Sequence, residues 1–251
     1  MNVVVNGLMT NYQKFGTGGK TIVLLHGWGD SLNTFSRLAE NLKDDYTVYA
    51  LDLPGMGGTE GPKEAWGLGD YAKFVHSWLA KVGIKKVYTL IGHSNGGAIS
   101  IVAVAGGTLK PEKLVLIASS GIRNDRHLKR AALKTLSKTG KIITAPLPDG
   151  TRSKIRSRFY KRIGSEVGLY PRLEETFRKI VSQDVQQAAK NISIPTLLIY
   201  GNSDKSTPVA YGRQFSQLIK GSRLEAVEAG HFPHQESPEK VSRLIKDFLK
   251  D

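Results

Sequence analysis

Cysteine is absent from the 251 residues, so the chain can form neither a disulfide nor a thiolate metal site. No stretch is apolar over the roughly 20 residues that a membrane-spanning helix needs, and the first residues lack the basic start and long apolar run of a secretion signal. The histidines and carboxylates lack the spacing of metal ligands on one helix face. We therefore expect a cytoplasmic protein with no transmembrane segment, no metal and no cofactor.

Acidic residues are scarce relative to basic ones, with 22 Asp and Glu against 36 Lys and Arg, a net charge of +14. The imbalance is local: residues 122–190 hold 17 basic and 6 acidic side chains, which is +11 of the total. Such a surface either attracts anionic ligands or is simply well solvated. Aromatic residues are few there and no nucleic-acid motif accompanies them. We expect a small-molecule substrate, which an anionic group would suit, and no specific nucleic acid; the oligomeric state is left open.

Short runs of β-branched and apolar residues alternate with amphipathic helical patterns along most of the chain. This alternation predicts an α/β fold, in which helices cover both faces of a mostly parallel twisted sheet. Residues 6–7 (Asn-Gly) predict a tight hairpin at an antiparallel edge, and Asp70 is the predicted N-cap of a helix over 71–82. Between 122 and 190 the pattern is helical only. We therefore predict a core domain over 1–121 and 191–251, with a helical cap inserted over 122–190.

The stretch around Ser94 is the strongest signal of chemistry. A buried strand over 87–91 is followed by Gly-His-Ser-Asn-Gly and then, without a loop, by a helix of small apolar residues. Glycines at positions 92 and 96 allow a turn this sharp, and the turn exposes the serine hydroxyl at its tip. The unpaired N–H groups of the helix start point to the same place. The pattern predicts a nucleophile beside a site that stabilises negative charge.

Five motifs in this order resemble the α/β-hydrolase fold serine hydrolases: residues 26–29 (His-Gly-Trp-Gly), 52–57 (Asp-Leu-Pro-Gly-Met-Gly), 92–96, 201–204 (Gly-Asn-Ser-Asp) and 230–232 (Gly-His-Phe). The similarity extends from about residue 12 to 248 and is interrupted by residues 122–190. It implies the α/β-hydrolase fold, a capped active site and a Ser-His-Asp triad in the chain order Ser94, Asp204, His231.

A serine nucleophile needs a base, and the base needs a group that fixes its tautomer. We predict His231 as the base, because it follows a glycine in the loop after the last strand. His234 is the rival, although packing or surface exposure suits it better. For the acid we predict Asp204, which closely follows a strand. The rival is Asp52, and the resemblance implies for Asp52 a loop-shaping role, through hydrogen bonds from nearby backbone N–H groups.

Two backbone N–H groups are the predicted donors to the oxyanion of an acyl-transfer intermediate. One belongs to Asn95, directly after the nucleophile, and the resemblance implies Trp28 for the other. The predicted activity is hydrolysis of a small-molecule carboxylic ester, as in carboxylesterases, through an acyl-enzyme. Two alternatives stay open: a carbon–carbon bond hydrolase or lyase on the same triad, with Asn33 and the basic cap binding a substrate carboxylate, and a slow-turnover, receptor-like ligand-binding protein.

Overall fold

The computed structural model describes residues 1–123 and 173–250, and the eight strands in these residues form one sheet. Strands β1 to β8 span Asn2–Val5, Leu8–Phe15, Thr21–Leu25, Thr47–Leu51, Thr89–His93, Lys113–Ile117, Thr196–Gly201 and Arg223–Val227. Their order across the sheet is β1-β2-β4-β3-β5-β6-β7-β8. The β1–β2 and β2–β4 pairs are antiparallel, and each later pair, from β4–β3 to β7–β8, is parallel. The carboxyl ends of β3 to β8 therefore meet at one edge, where their loops gather.

Helices lie between the strands and after the last of them. Helices α1 to α8 span Ser36–Leu42, Leu68–Lys81, Asn95–Ala105, Glu174–Ser182, Gln186–Ala189, Val209–Leu218, Pro233–Glu236 and Pro238–Lys250. The α/β class and the mostly parallel sheet with helices on both faces are confirmed.

The central strand β3 shows how the sheet makes two cores. Its side chains alternate, so that Val23 and Leu25 pack in the layer that contains Trp78 of α2, and Ile22 and Leu24 pack in the layer that contains Phe248 of α8. All four β3 residues are fully buried. A strand covered on both faces explains why its sequence is continuously apolar instead of alternating with polar residues.

The prediction for the start of α2 was wrong. The helix begins at Leu68 with Gly67 as its N-cap, and Asp70 occupies the third helical position. There its carboxylate accepts a hydrogen bond from the Gly67 N–H at 2.9 Å, the backward reach that acidic residues make at this position. An aspartate near a helix start can satisfy a free N–H from either position, so its residue type alone did not distinguish them.

Two shorter elements also differ from the expectation. The apolar spacing of residues 35–42 predicts a helix that starts at residue 35, but a 3-10 turn, Leu32–Phe35, comes first and α1 begins one residue later, at Ser36. The segment 230–234, predicted as a loop, contains the first half of α7, a single helical turn over Pro233–Glu236. The predicted hairpin at Asn6 and Gly7 is confirmed, since Val5 pairs with Leu8.

Most of the predicted cap, from residue 124 to 172, lies outside the described residues. Its described part contributes α4 and α5, and both are helical, as the periodicity indicated. None of the helices in the described ranges has the length and apolar character needed to cross a bilayer.

Candidate active site

Ser94 lies in a strained turn between β5 and α3. Its φ of 50° and ψ of −113° are values that a residue with a side chain rarely adopts. Backbone hydrogen bonds hold it there: its N–H donates to the carbonyl of Ile117 at 3.0 Å, and its own carbonyl accepts from the Ser120 N–H at 3.1 Å. The end of β6 therefore fixes the turn, and the serine side chain is left partly exposed.

Glycines let the chain fold back this tightly. A Cβ on Gly92 would lie 2.5 Å from the Gly96 carbonyl oxygen. One on Gly96 would lie 2.6 Å from the His26 carbonyl oxygen and closer still to that of Leu25. Helix α3 thus starts in direct backbone contact with β3, and this contact aligns its N-terminus with the loop after β3.

The structure brings the three predicted triad residues together. The Oγ of Ser94 is 3.1 Å from Nε2 of His231, and Nδ1 of His231 is 2.7 Å from Oδ2 of Asp204. An ionised carboxylate can only accept a hydrogen bond, so Nδ1 of His231 carries the proton and donates a hydrogen bond to Asp204. In that tautomer the Nε2 lone pair faces the serine hydroxyl, which is the arrangement that general-base activation requires.

Asp204 is 5% exposed and its carboxylate is fully used as an acceptor. Oδ1 accepts the N–H groups of Ser206 and Thr207 at 2.7 and 3.0 Å, and Oδ2 accepts the Thr207 hydroxyl at 2.7 Å in addition to His231. Burial favours the neutral carboxyl, but the hydrogen bonds from His231 and Thr207 outweigh it and hold the pKa of Asp204 below its ordinary value. The acid is therefore ionised and aimed at the imidazole.

The loop that carries His231 is anchored on both sides by side chains. The Glu236 carboxylate accepts the N–H groups of Gly230 at 2.7 Å and Phe232 at 3.0 Å, the two residues flanking His231. The ring of His93 donates from Nε2 to the His231 carbonyl at 2.8 Å. Neither residue was predicted to support the site. Glu236 is the last residue of α7, and its role could be inferred from the sequence only if residues 233–236 were first recognised as helical.

The two predicted oxyanion donors also lie beside Ser94. Asn95 is the first residue of α3, so its N–H has no acceptor within the helix. A Cβ built on Gly27 would be 3.3 Å from Ser94 Cβ, which places the loop containing Trp28 directly against the nucleophile. Among the described residues, the backbone N–H of Trp28 makes no hydrogen bond. Two free N–H groups beside one hydroxyl are what an oxyanion hole requires.

Both rival residues have structural partners instead. Asp52 is 2% exposed and accepts the N–H groups of Leu32 at 2.6 Å and Gly58 at 2.7 Å, so it shapes loops, as the resemblance implied. His234 is 1% exposed, and its Nε2 is 2.9 Å from the hydroxyl of Thr34.

His26 immediately precedes Gly27 and Trp28 in the loop after β3, and the hydrogen bonds of its ring orient this loop. Its Nε2 accepts the Leu53 N–H at 2.9 Å, and so its Nδ1 donates to the Gly27 carbonyl at 2.7 Å. This pair of bonds fixes a neutral tautomer and ties the loop after β3 to the loop after β4. Burial lowers the pKa of His26 below its ordinary value.

Two further buried imidazoles, His93 and His234, pack against each other at 4.7 Å between ring centres. Burial and the nearby His231 lower the pKa of His234 to about 3. Burial, followed by the charges that His234 and His231 would carry, holds the pKa of His93 well below its ordinary value. These rings stay neutral in the folded protein through the mildly acidic range.

This neutrality predicts a loss of stability in acid. Between pH 6.5, where an exposed histidine titrates, and about pH 3, the unfolded chain binds a proton at residue 234 that the folded chain does not. The free energy of unfolding therefore falls as pH falls through that window. We expect His234→Gln, which can keep the bond to Thr34, to reduce the slope by up to about 1.4 kcal/mol per pH unit. Urea unfolding from pH 7 to 4 measures it.

His76→Gln is the matched control, because this imidazole is exposed on α2 and meets water in the folded and unfolded chain alike. It should show the wild-type slope. Equal slopes for His234→Gln and the wild type would mean that His234 is not held neutral.

Within the described residues, no cluster of three or more histidine, cysteine, aspartate or glutamate side chains could hold a metal ion. The side chains of the described site are suited to nucleophilic and acid–base chemistry. An activated hydroxyl, a base with an ionised partner and two free N–H groups are the parts needed for acyl transfer.

Comparison with known proteins places the chain in a family. The sequence matches the profile of the alpha/beta hydrolase family over residues 22–244. It is 28% identical to an uncharacterized hydrolase of Bacillus subtilis, YugF, over 98% of this chain and 96% of that protein. It is 30% identical to a monoglyceride lipase of Rattus norvegicus, over 93% and 82% of the two chains.

Among solved structures, the enol-lactonase from Burkholderia xenovorans is similar over the full length of both chains, with a TM-score of 0.78 and 21% identity. This likeness concerns the fold, and the profile match covers most of the chain. The protein is therefore a hydrolase that belongs to the alpha/beta hydrolase family.

Proposed function

We propose that the protein is a serine hydrolase that cleaves a small-molecule carboxylic ester through Ser94, His231 and Asp204. The observation that carries the proposal is the continuous hydrogen-bonded chain from Ser94 Oγ through the imidazole to Asp204, with links of 3.1 and 2.7 Å. The relative named as a monoglyceride lipase agrees with ester cleavage.

The reaction follows from the geometry. His231 Nε2 takes the hydroxyl proton as Ser94 Oγ bonds to the ester carbonyl carbon, and the N–H groups of Trp28 and Asn95 stabilise the resulting oxyanion. The imidazolium, stabilised by Asp204, then gives the proton to the departing alcohol as the carbon–oxygen bond breaks. Water attacks the acyl-enzyme by the same steps, releasing the carboxylic acid and restoring the serine.

The substrate lies, in this proposal, between the sheet edge and a cap formed by residues 122–190. Helix α4 approaches the site: the Phe177 ring is 5.2 Å from that of Trp28, next to the oxyanion loop. Hydrogen bonds also join α4 to the segment before α2, from the Trp66 N–H to the Thr176 hydroxyl at 3.1 Å and from Lys179 Nζ to the Ala65 carbonyl at 3.0 Å. The aromatic side chains of Trp28 and Phe177 offer an apolar wall beside the site, which suits the hydrocarbon part of an ester.

A panel of p-nitrophenyl esters of increasing acyl length tests the proposal, together with labelling by a fluorophosphonate, which phosphonylates an activated serine with loss of fluoride. We expect multiple turnovers on short esters, and a single label that maps by mass spectrometry to the peptide containing Ser94. Turnover of vinylogous diketo acids in preference to esters would instead establish the carbon–carbon hydrolase. A labelled protein that releases its acyl group only once would favour the receptor-like alternative.

A further inference from the structure

Thr207 stands in direct contact with both the acid and the base of the site. It is 4% exposed and lies in the loop after β7, just before Pro208 and α6. Its Oγ1 is 2.7 Å from Asp204 Oδ2 and 3.1 Å from His231 Nδ1. It is also 2.9 Å from the carbonyl oxygen of Ala118, at the end of β6. Nothing in the sequence pattern singled this threonine out.

The hydroxyl complements the acid–base pair because it both donates and accepts. It has one proton and two lone pairs, whereas an ionised carboxylate only accepts and the Nδ1–H of His231 only donates. The short distance to the charged Oδ2 favours donation to Asp204, since hydrogen bonds to ions are the shorter and stronger ones. A lone pair of the same oxygen then faces the Nδ1–H of His231, which it can accept alongside Asp204.

The backbone carbonyl of Ala118 is the second acceptor within reach of the Thr207 hydroxyl. Ala118 has a φ of 45°, a strained value for a residue with a side chain, and its carbonyl faces the Thr207 hydroxyl. The single hydroxyl proton is shared between this carbonyl at 2.9 Å and the nearer, charged Asp204 Oδ2 at 2.7 Å, so the hydroxyl links the end of β6 to the triad acid. Asp204 Oδ2 is thus bound by two side chains, Thr207 and His231, and without the hydroxyl only His231 would remain.

We propose that Thr207 is a positioning residue, whose hydroxyl holds Asp204 Oδ2 against His231 Nδ1 and so keeps Nε2 aligned with Ser94. The inference rests on the proposed function, because it assigns a fourth member to the same hydrogen-bonded chain. Its role is separable from that of the Thr207 backbone, whose N–H binds the other oxygen of Asp204 at 3.0 Å. Thr207→Val removes only the hydroxyl and keeps the N–H and the branched shape.

The test is a double-mutant cycle on kcat/KM for a p-nitrophenyl ester, with Thr207→Val, Asp204→Asn and the double variant. Losing one hydrogen bond to a charged group predicts a fall of about 10- to 100-fold for Thr207→Val, mainly in kcat. In the Asp204→Asn background the same change should cost less than about 3-fold, because the alignment it serves is already lost. Thr207→Ser, which keeps a hydroxyl, should recover most of the activity.

Two outcomes would overturn the inference: wild-type activity in Thr207→Val, or an equal loss in the presence and absence of the Asp204 carboxylate. The second would mean that the hydroxyl only binds Ala118. Thermal unfolding of each variant establishes that it is folded at the assay temperature, and Thr207→Ala replaces Thr207→Val if the valine variant does not fold. Failure of the proposed function is distinct, since Ser94→Ala would then retain full activity.

Discussion

Ester hydrolysis should fall by about four to six orders of magnitude in Ser94→Ala, because this variant removes the atom that bonds to the substrate. The remaining rate would come from the two backbone N–H donors, which stabilise an oxyanion whatever nucleophile attacks. Fluorophosphonate labelling should disappear altogether. Initial rates on a short p-nitrophenyl ester and mass spectrometry of the intact labelled protein measure the two effects.

Ser36→Ala is a matched control, since this exposed serine only donates to the Asn33 carbonyl. It should keep wild-type rates and wild-type labelling. The proposed function fails if Ser94→Ala and Ser36→Ala hydrolyse the ester equally, or if the label maps to another residue in both.

The triad residues should also fail to act additively. Removing Ser94 leaves His231 without a proton to accept, so Ser94→Ala combined with His231→Ala should be scarcely slower than Ser94→Ala alone. Asp204→Asn keeps the shape of the acid but presents a weaker partner to Nδ1, and a loss near 10⁴-fold is the expected scale. When several residues act through one hydrogen-bonded chain, removing any one of them also removes most of the contribution of the others to the rate.

The residues at the site that could be predicted from the sequence are those with a local signature. Ser94 lies between two glycines that a strand-to-helix turn requires, Asp204 closely follows the apolar run of β7, and His231 follows a glycine in the loop after the last strand. The parallel sheet brings strand ends together, which explains how residues 110 or more positions away reach the serine, and the resemblance to the hydrolases distinguished Asp204 and His231 from their rivals. Their roles as a triad remain the proposal that the variants above test.

Residues that act through tertiary contacts had no such signature. Thr207 is one polar residue in a polar loop, and only the packing of the β6 and β7 ends puts its hydroxyl on Asp204. Glu236 supports the His231 loop because Pro233–Glu236 forms a helical turn, and the first half of this turn was predicted as part of a loop. Asp70 was misplaced for a related reason, since local sequence shows that a helix starts but not which of its N–H groups the side chain binds.

Two histidines near the base, His93 and His234, can support its loop because they remain uncharged. His93 donates to the His231 carbonyl and packs against His234, and both rings are held neutral by burial. A permanent positive charge at either position would oppose the formation of the His231 imidazolium that the reaction requires. Neutral imidazoles supply a flat, hydrogen-bonding support for the loop without that electrostatic cost.

The second large effect concerns the fold of the turn itself. Gly96→Ala should lower the free energy of unfolding by about 3 kcal/mol or more, the upper range for inserting a group into a packed interior. The added methyl would meet the carbonyl oxygens of Leu25 and His26, which belong to the β3 backbone and its exit and cannot rotate away. Separating α3 from β3 would also displace Ser94 from Trp28, so catalysis should fall with stability.

Gly69→Ala is the matched control, because a Cβ at this position in α2 has no atom within 4 Å. Alanine in place of glycine in a helix stabilises by up to about 1 kcal/mol, so this variant should unfold at a slightly higher urea concentration than the wild type and keep its activity. The same substitution, glycine to alanine, should therefore lower the free energy of unfolding at position 96 and raise it slightly at position 69. A Gly96→Ala protein with a wild-type urea midpoint would show that α3 can start farther from β3, and the close backbone contact would no longer explain why the serine turn needs glycine.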